Sequence, residues 1–142
     1  MRTLHFGLRV ADLDRALAFY EGVGYEIVGR VPDTDMGELV MLTLPGDDFV
    51  TIELVHDPAH DVPETTGVST TGLNHFVIKV ESMATTIGAL AAHGIDAEEP
   101  TSPDGSADFL TSWIVDPDGN RIELVQWPPG HLDGITSADA EG

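Results

Sequence analysis

Two histidine and glutamate pairs repeat along this chain at a fixed spacing. His5 and Glu53 are 48 positions apart, and His75 and Glu123, each 70 positions further on, are separated by the same distance. Imidazole nitrogens and carboxylate oxygens are ligands for divalent cations such as Zn²⁺, Ni²⁺, Co²⁺, Fe²⁺ and Mn²⁺. The pattern predicts a metal site with two nitrogen and two oxygen ligands and open positions for water or substrate. Ligand chemistry alone does not choose the metal.

The residues around the two pairs repeat as well. His5-Phe6 recurs as His75-Phe76, and Ile52-Glu53-Leu54-Val55 recurs as Ile122-Glu123-Leu124-Val125. Self-similarity at one period is typical of two copies of a supersecondary unit that pack together. Two modules related by an approximate twofold would bring both pairs to one point. The repeat is compatible with a site inside one chain and with a site between two chains.

The hydrophobic pattern places each ligand of the first pair on a strand. Residues 3–10 alternate, with His5 and Arg9 on the polar face, and residues 49–56 place Glu53 on the less apolar face. The intervening elements are predicted to be a helix capped by Asp12 that ends near Glu21, followed by strands over 25–31 and 38–44.

The second half repeats this order. Its predicted elements are a strand over 73–80, a helix from Ser82 that stops at Gly94, and strands over 108–115 and 120–127. We therefore predict an α+β fold of two tandem βαβββ modules, which form a curved, barrel-like mixed sheet around a metal-binding cleft with the helices outside. The predicted boundaries are a first module over 1–56, a linker over 57–72, a second module over 73–127 and a flexible tail over 128–142.

Composition excludes several classes of partner. The net charge of −19, with only 6 lysines and arginines among 142 residues, argues against nucleic acid and anionic membranes. No apolar run approaches the roughly 20 residues of a membrane span, and no signal peptide precedes the first strand, so we expect a cytoplasmic protein. Without cysteine, a metal can be held only by nitrogen and oxygen.

Four segments of the chain resemble the glyoxalase I (lactoylglutathione lyase) branch of the vicinal oxygen chelate superfamily. They are HFGLRVADLDRALAFYEGVGY, TIELVH, GLNHFVIKV and VDPDGNRIELVQ, within a resemblance that covers residues 1 to about 127. It implies that His5, Glu53, His75 and Glu123 bind the metal, with Ni²⁺, Co²⁺ or Zn²⁺ as the candidates. It also implies a homodimer with a small-molecule substrate.

The activity implied by the resemblance is that of a metal-dependent lyase. It isomerises the hemithioacetal of methylglyoxal and a thiol, glutathione or another, to a 2-hydroxyacyl thioester through an enediolate. The resemblance assigns Glu123 as the main proton shuttle and Glu53 as a ligand and second base, and it implies that Arg9 holds the carboxylate of the thiol. Trp113 alternates away from Ser112 and Ile114, which predicts that it lines the substrate pocket.

Other functions of the same superfamily are alternatives. The segments 56–58 and 102–106 lack the asparagine and the lysine with which close relatives help to bind glutathione, which leaves the thiol open. Epimerase and extradiol dioxygenase relatives typically have a different ligand set. A non-catalytic drug-binding protein of the bleomycin-resistance type is a further alternative, and a net charge of −19 suits cationic drugs.

Overall fold

The computed structural model of the protein describes residues 5–47, 51–57, 73 and 75–131. The chain divides into two compact units, the first formed by Met1–Gly72 with Val115–Asn120 and the second by Leu73–Ile114 with Arg121–Gly142. Each unit contains one helix and one sheet, so the predicted α+β class is confirmed. Among the described residues, no helix is long and apolar enough to cross a membrane.

The first unit has the predicted βαβββ order. Its sheet has the strand order β1-β4-β3-β2, in which β1 runs parallel to β4 while β3 is antiparallel to both of its neighbours. The elements are β1 (His5–Arg9), α1 (Leu13–Val23), β2 (Glu26–Thr34), β3 (Gly37–Thr43) and β4 (Thr51–His56). The predicted strand starts at positions 3 and 49 lie outside the described residues.

Helix α1 begins and ends where the sequence predicts a cap and a breaker. The Asp12 carboxylate accepts a hydrogen bond of 3.0 Å from the Arg15 backbone N–H, which satisfies one free donor of the first turn. The helix ends at Gly24, whose φ of 124° strongly favours glycine. Its buried stripe packs one face into the core, and burial of each large member contributes about 1.5–3 kcal/mol. The stripe is Leu13, Ala16, Leu17 and Tyr20.

Gly37 lies at a close approach between two backbone segments. Its φ is +105°, and a Cβ added there would collide with the His56 carbonyl oxygen. The preceding turn is held by the Thr34 hydroxyl, which donates a hydrogen bond of 2.7 Å to the Gly37 carbonyl oxygen. The absence of a side chain at Gly37 therefore lets β3 begin against the end of β4.

The second unit has a three-stranded sheet of order β5-β7-β6, with β5 parallel to β7. Ser82 caps its helix, since the hydroxyl accepts a hydrogen bond of 3.3 Å from the Thr85 N–H. The Gln126 side chain accepts a hydrogen bond of 2.7 Å from the Met83 N–H, which ties the helix start to β7. The elements are β5 (His75–Lys79), α2 (Met83–Ala92), β6 (Leu110–Val115) and β7 (Arg121–Gln126).

The second unit departs from the predicted βαβββ order. Its fourth strand is reduced to an isolated bridge between Thr101 and Thr111, with a further hydrogen bond of 2.9 Å from the Glu98 N–H to the Trp113 carbonyl oxygen. The register shifts by one residue between the Thr101–Thr111 bridge and the bond from Glu98 to Trp113, so no regular strand forms there. The strands described form two separate sheets, so the predicted barrel-like sheet is not seen as a closed barrel.

The turn between β6 and β7 belongs to the first unit and is organised by Asp116. This carboxylate is only 4% exposed and accepts a hydrogen bond of 2.6 Å from the Tyr20 hydroxyl. It also accepts hydrogen bonds from the Asp118 N–H and from both nitrogens of Asn120, at 2.7 to 2.9 Å. Burial, reinforced by the neighbouring Asp116 charge, raises the pKa of Tyr20 far above its usual value. The sequence predicts the turn but not its buried partner.

The predicted linker over 57–72 lies outside the described residues apart from Asp57, and so does the predicted tail beyond His131. The first tail residues are ordered against the second unit, because the His131 ring stacks on Trp127 with 4.0 Å between centroids. Phe109 stacks with the same indole at 5.1 Å.

Candidate active site

The first histidine and glutamate pair is brought together by the parallel register of β1 and β4. His5 pairs with Thr51 and Gly7 pairs with Glu53, so His5 and Glu53 lie one pleat apart on the same face. The His5 Nε2 atom is 3.7 Å from Glu53 Oε2. Gly7 lies beside the carboxylate, since a Cβ added there would make an ordinary contact of 3.8 Å with Glu53 Oε1.

The second unit repeats this arrangement with different neighbours. His75 pairs with Arg121 and Val77 pairs with Glu123 across the parallel β5 and β7 strands. The His75 Nε2 atom is 3.6 Å from Glu123 Oε2. The Glu53 and Glu123 side chains are 13% and 22% exposed, so both carboxylates are partly shielded from water while still reachable.

These separations fit two ligands of one cation. Donors at about 2.1 Å from a shared divalent ion, with angles between 90° and 120°, are about 3.0 to 3.6 Å apart. The two His–Glu separations lie at or just beyond the upper end of that range. Each unit thus presents one nitrogen and one oxygen donor in a similar geometry. Within the described ranges, no group of three or more metal-ligating side chains is present.

Trp113 and Arg121 adjoin the second pair. The Trp113 ring meets the His75 ring edge to face, with 5.0 Å between centroids and 78° between planes. The guanidinium carbon of Arg121 lies 4.1 Å from the Trp113 ring centroid, a cation–π contact. Trp113 was predicted from the sequence as a pocket residue, whereas Arg121 was missed. The sequence signal that could have found Arg121 is its position two residues before Glu123, because alternate residues of a strand lie on one face.

The remaining sequence candidate, Arg9, ends β1 opposite Val55 and is exposed. Its guanidinium forms no ion pair with any carboxylate that the structure describes. The assignment of Arg9 to a substrate carboxylate therefore stays a prediction, like the ligand roles of His5, Glu53, His75 and Glu123.

The loop over 102–106 is an acidic turn whose hydrogen bonds join its own residues. Asp104 accepts hydrogen bonds from the Ser102 hydroxyl at 3.1 Å and from the Ser106 N–H at 2.9 Å. The bonds to Ser106 lower the pKa of the Asp104 carboxyl. The turn therefore holds a stable negative charge.

Each of the two units carries a His–Glu pair on two parallel strands. The fold therefore presents the same nitrogen and oxygen donors twice. The chain belongs to the Glyoxalase/Bleomycin resistance protein/Dioxygenase superfamily, whose family model matches residues 2–124. The resemblance inferred from the four sequence segments is thereby confirmed.

Curated relatives include lactoylglutathione lyases. A probable chloroplastic lactoylglutathione lyase of Arabidopsis thaliana is 28% identical over 131 residues, which are 90% of this chain and 36% of that protein. The chain thus spans about a third of the length of this plant relative. The lactoylglutathione lyase of Haemophilus influenzae is 28% identical over 129 residues, covering 89% of this chain and 93% of the bacterial protein. These names support a glyoxalase I-like function.

A solved glyoxalase I structure has the same fold. A point mutant of glyoxalase I from Zea mays superposes with a TM-score of 0.69 at 26% identity, covering 89% of this chain and 46% of the maize chain. This similarity supports the fold and the family but leaves the substrate of this chain to be inferred from its own residues.

Proposed function

We propose that the protein is a metal-dependent glyoxalase I-like lyase. Its substrate would be the hemithioacetal of a 2-oxoaldehyde such as methylglyoxal with glutathione or another thiol, and its product the 2-hydroxyacyl thioester. The observation that carries the proposal is the recurrence of one His–Glu geometry in both units, with Nε2 to Oε2 separations of 3.7 and 3.6 Å. The names of the curated relatives support the same reaction.

His5, Glu53, His75 and Glu123 would hold a divalent cation, with Ni²⁺, Co²⁺ or Zn²⁺ as the candidates. When bound, the cation supplies Lewis-acid stabilisation of the negative charge that develops on the substrate oxygens. A four-ligand set requires the pairs of both units, taken from one chain or from two chains of the proposed homodimer. Because the site needs two imidazoles and two carboxylates, loss of any one residue weakens metal binding.

The chemical step moves one proton between adjacent carbons without net oxidation. The Glu123 carboxylate takes the proton from the carbon that bears the sulfur and the hydroxyl, and it returns the proton to the neighbouring carbonyl carbon. The hydroxyl proton passes to the oxygen of that neighbouring carbon, which leaves a thioester carbonyl and a new hydroxyl. Glu53 serves as the second base in the matching position. The partial burial of both carboxylates reduces their hydration, and Trp113 shields the His75 side of the pair from water.

The test measures metal content and turnover on the same purified protein. After removal of metal with a chelator, the protein is reloaded separately with Ni²⁺, Co²⁺ and Zn²⁺, bound metal is measured by mass spectrometry, and thioester formation is followed by ultraviolet absorbance. We expect stoichiometric metal and activity with at least one thiol. Stoichiometric metal without isomerase activity toward any thiol hemithioacetal would contradict the lyase proposal.

A cavity in the second unit favours drug binding as a second candidate function. Its volume is about 320 Å³, at the small end of ligand pockets, and its lining does not include His75 or Glu123. Its lining includes the carboxylates of Glu81 and Asp108, which suit a cationic ligand, and Lys79, which is paired with Glu81 at 3.4 Å. Calorimetric titration with bleomycin, repeated on Asp108→Asn, tests this candidate. Absence of binding to the unaltered protein would exclude it for this drug class.

A further inference from the structure

Arg121 is held beside the second His–Glu pair by an aromatic ring. It pairs with His75 in the parallel register of β5 and β7, so both side chains leave the sheet on the same face. Its guanidinium carbon is 4.1 Å from the Trp113 centroid, and Trp113 contacts His75 at 5.0 Å. The cation is therefore positioned by a ring that also contacts a proposed metal ligand.

The cation of Arg121 contacts an aromatic ring rather than a carboxylate. With a net charge of −19, carboxylates far outnumber cations, and Arg30 is paired with Glu38 at 3.4 Å. Arg121 forms neither a hydrogen bond nor an ion pair with a carboxylate in the described part of the chain. A cation–π contact uses no acceptor oxygen, so it leaves the N–H donors of the guanidinium to meet a ligand.

The Arg121–Trp113 pair has no equivalent in the first unit. Thr51 pairs with His5 where Arg121 pairs with His75, so the first unit has no cation at this place, whereas the His–Glu pair occurs in both units. The features that both units share suit the metal, which takes like ligands from each. A feature that occurs in one unit suits an unsymmetrical substrate, because the two ends of such a substrate need different binding residues.

We propose that Arg121 binds a carboxylate of the thiol co-substrate, so that the substrate is an anionic hemithioacetal. This inference rests on the proposed lyase function. A planar guanidinium matches a carboxylate with two parallel N–H···O bonds, and Trp113 acts as the positioning residue that presents it. This site is additional to the one that the resemblance implies for Arg9.

The kinetic test compares two substrates that differ only in charge. Hemithioacetals of methylglyoxal with glutathione and with glutathione diethyl ester are assayed with the unaltered metal-loaded protein, Arg121→Gln, Arg121→Lys and the control Arg30→Gln. For Arg121→Gln we expect about a tenfold higher KM with glutathione, kcat within about twofold, and an unchanged KM with the diester. Arg121→Lys should recover part of the loss, and Arg30→Gln should behave like the unaltered protein.

A binding measurement separates this inference from the lyase proposal. Calorimetric titration with glutathione and its diester gives affinity without turnover, and we expect about a tenfold weaker Kd for glutathione in Arg121→Gln alone. Binding without turnover of any hemithioacetal would overturn the lyase function and leave the carboxylate site standing. Equal losses for both thiols, no loss for either, or no glutathione binding to the unaltered protein would overturn the carboxylate site.

Discussion

His75 Nε2 lies 3.6 Å from Glu123 Oε2, a separation that is too long for an N–H···O hydrogen bond and suits two donors that face a common third atom. The same relationship holds between His5 and Glu53 at 3.7 Å. Both separations lie close to the range expected for two ligands of one cation, which is why the pairs carry the functional proposal.

Glu123→Gln should lower turnover by about a hundredfold or more, because an amide cannot accept the substrate proton. We expect the variant to retain its fold, and metal content measured in the same preparation shows whether the site is still loaded. Glu21→Gln, at the exposed end of α1, is the matched control and should retain full activity. Full turnover by metal-loaded Glu123→Gln would show that Glu123 is not the proton shuttle.

His75→Ala should weaken metal binding by about a hundredfold or more, since even residues behind a ligand contribute ten- to a hundredfold. Metal retained after dialysis against graded chelator concentrations measures the effect. His93→Ala removes an exposed histidine at the end of α2 and should bind metal as tightly as the unaltered chain. Equal retention in both variants would remove His75 from the ligand set.

Tyr20→Phe should lower the free energy of unfolding by about 1.5–3 kcal/mol, because the buried Asp116 loses a charge-assisted hydrogen bond of 2.6 Å. Urea denaturation measures the loss. Tyr25→Phe is the control, since the Tyr25 hydroxyl donates no hydrogen bond to a described residue and its removal should cost less. Equal losses in the two variants would argue that packing, rather than the Asp116 bond, dominates at Tyr20.

Alkaline pH should destabilise the protein. Burial is the main cause that raises the pKa of both Tyr20 and Tyr25 above the usual range, so the folded state keeps protons that the unfolded chain releases near pH 10. The unfolded state then binds fewer protons, and the free energy of unfolding falls as pH rises above about 10. Urea denaturation across this range should show a shallower fall in the Tyr20→Phe/Tyr25→Phe double variant. An unchanged slope would assign the alkaline loss to other groups.

Gly37→Ala should lower the free energy of unfolding by about 2 kcal/mol or more, because the new Cβ meets the His56 carbonyl at a positive φ. Gly46→Ala separates the steric contact from the cost of a positive φ. Gly46 also has a positive φ, of +82°, but nothing lies within 4 Å of an added Cβ, so only the backbone term applies. Thermal or urea denaturation that gave equal losses would contradict a steric role for His56.

Local signals in the sequence were sufficient to predict most of the helices and strands. Asp12 and Ser82 cap the two helices as predicted, because a short polar side chain before an apolar stripe is satisfied within its own turn. The second unit differs before β6, where a one-residue shift in register between the Thr101–Thr111 bridge and the Glu98 N–H bond prevents a regular fourth strand.

The repeat alone predicted which histidines and glutamates share a strand face, because side-chain alternation is a local property of an extended backbone. The repeated segments also predicted the superfamily, which the match of the family model confirmed. The contacts of Asp116 with Tyr20 and of Trp113 with Arg121 and His75 depend on the folded structure. They join residues that are distant in sequence or lie on different strands, so register and packing, rather than any local pattern, set which groups meet.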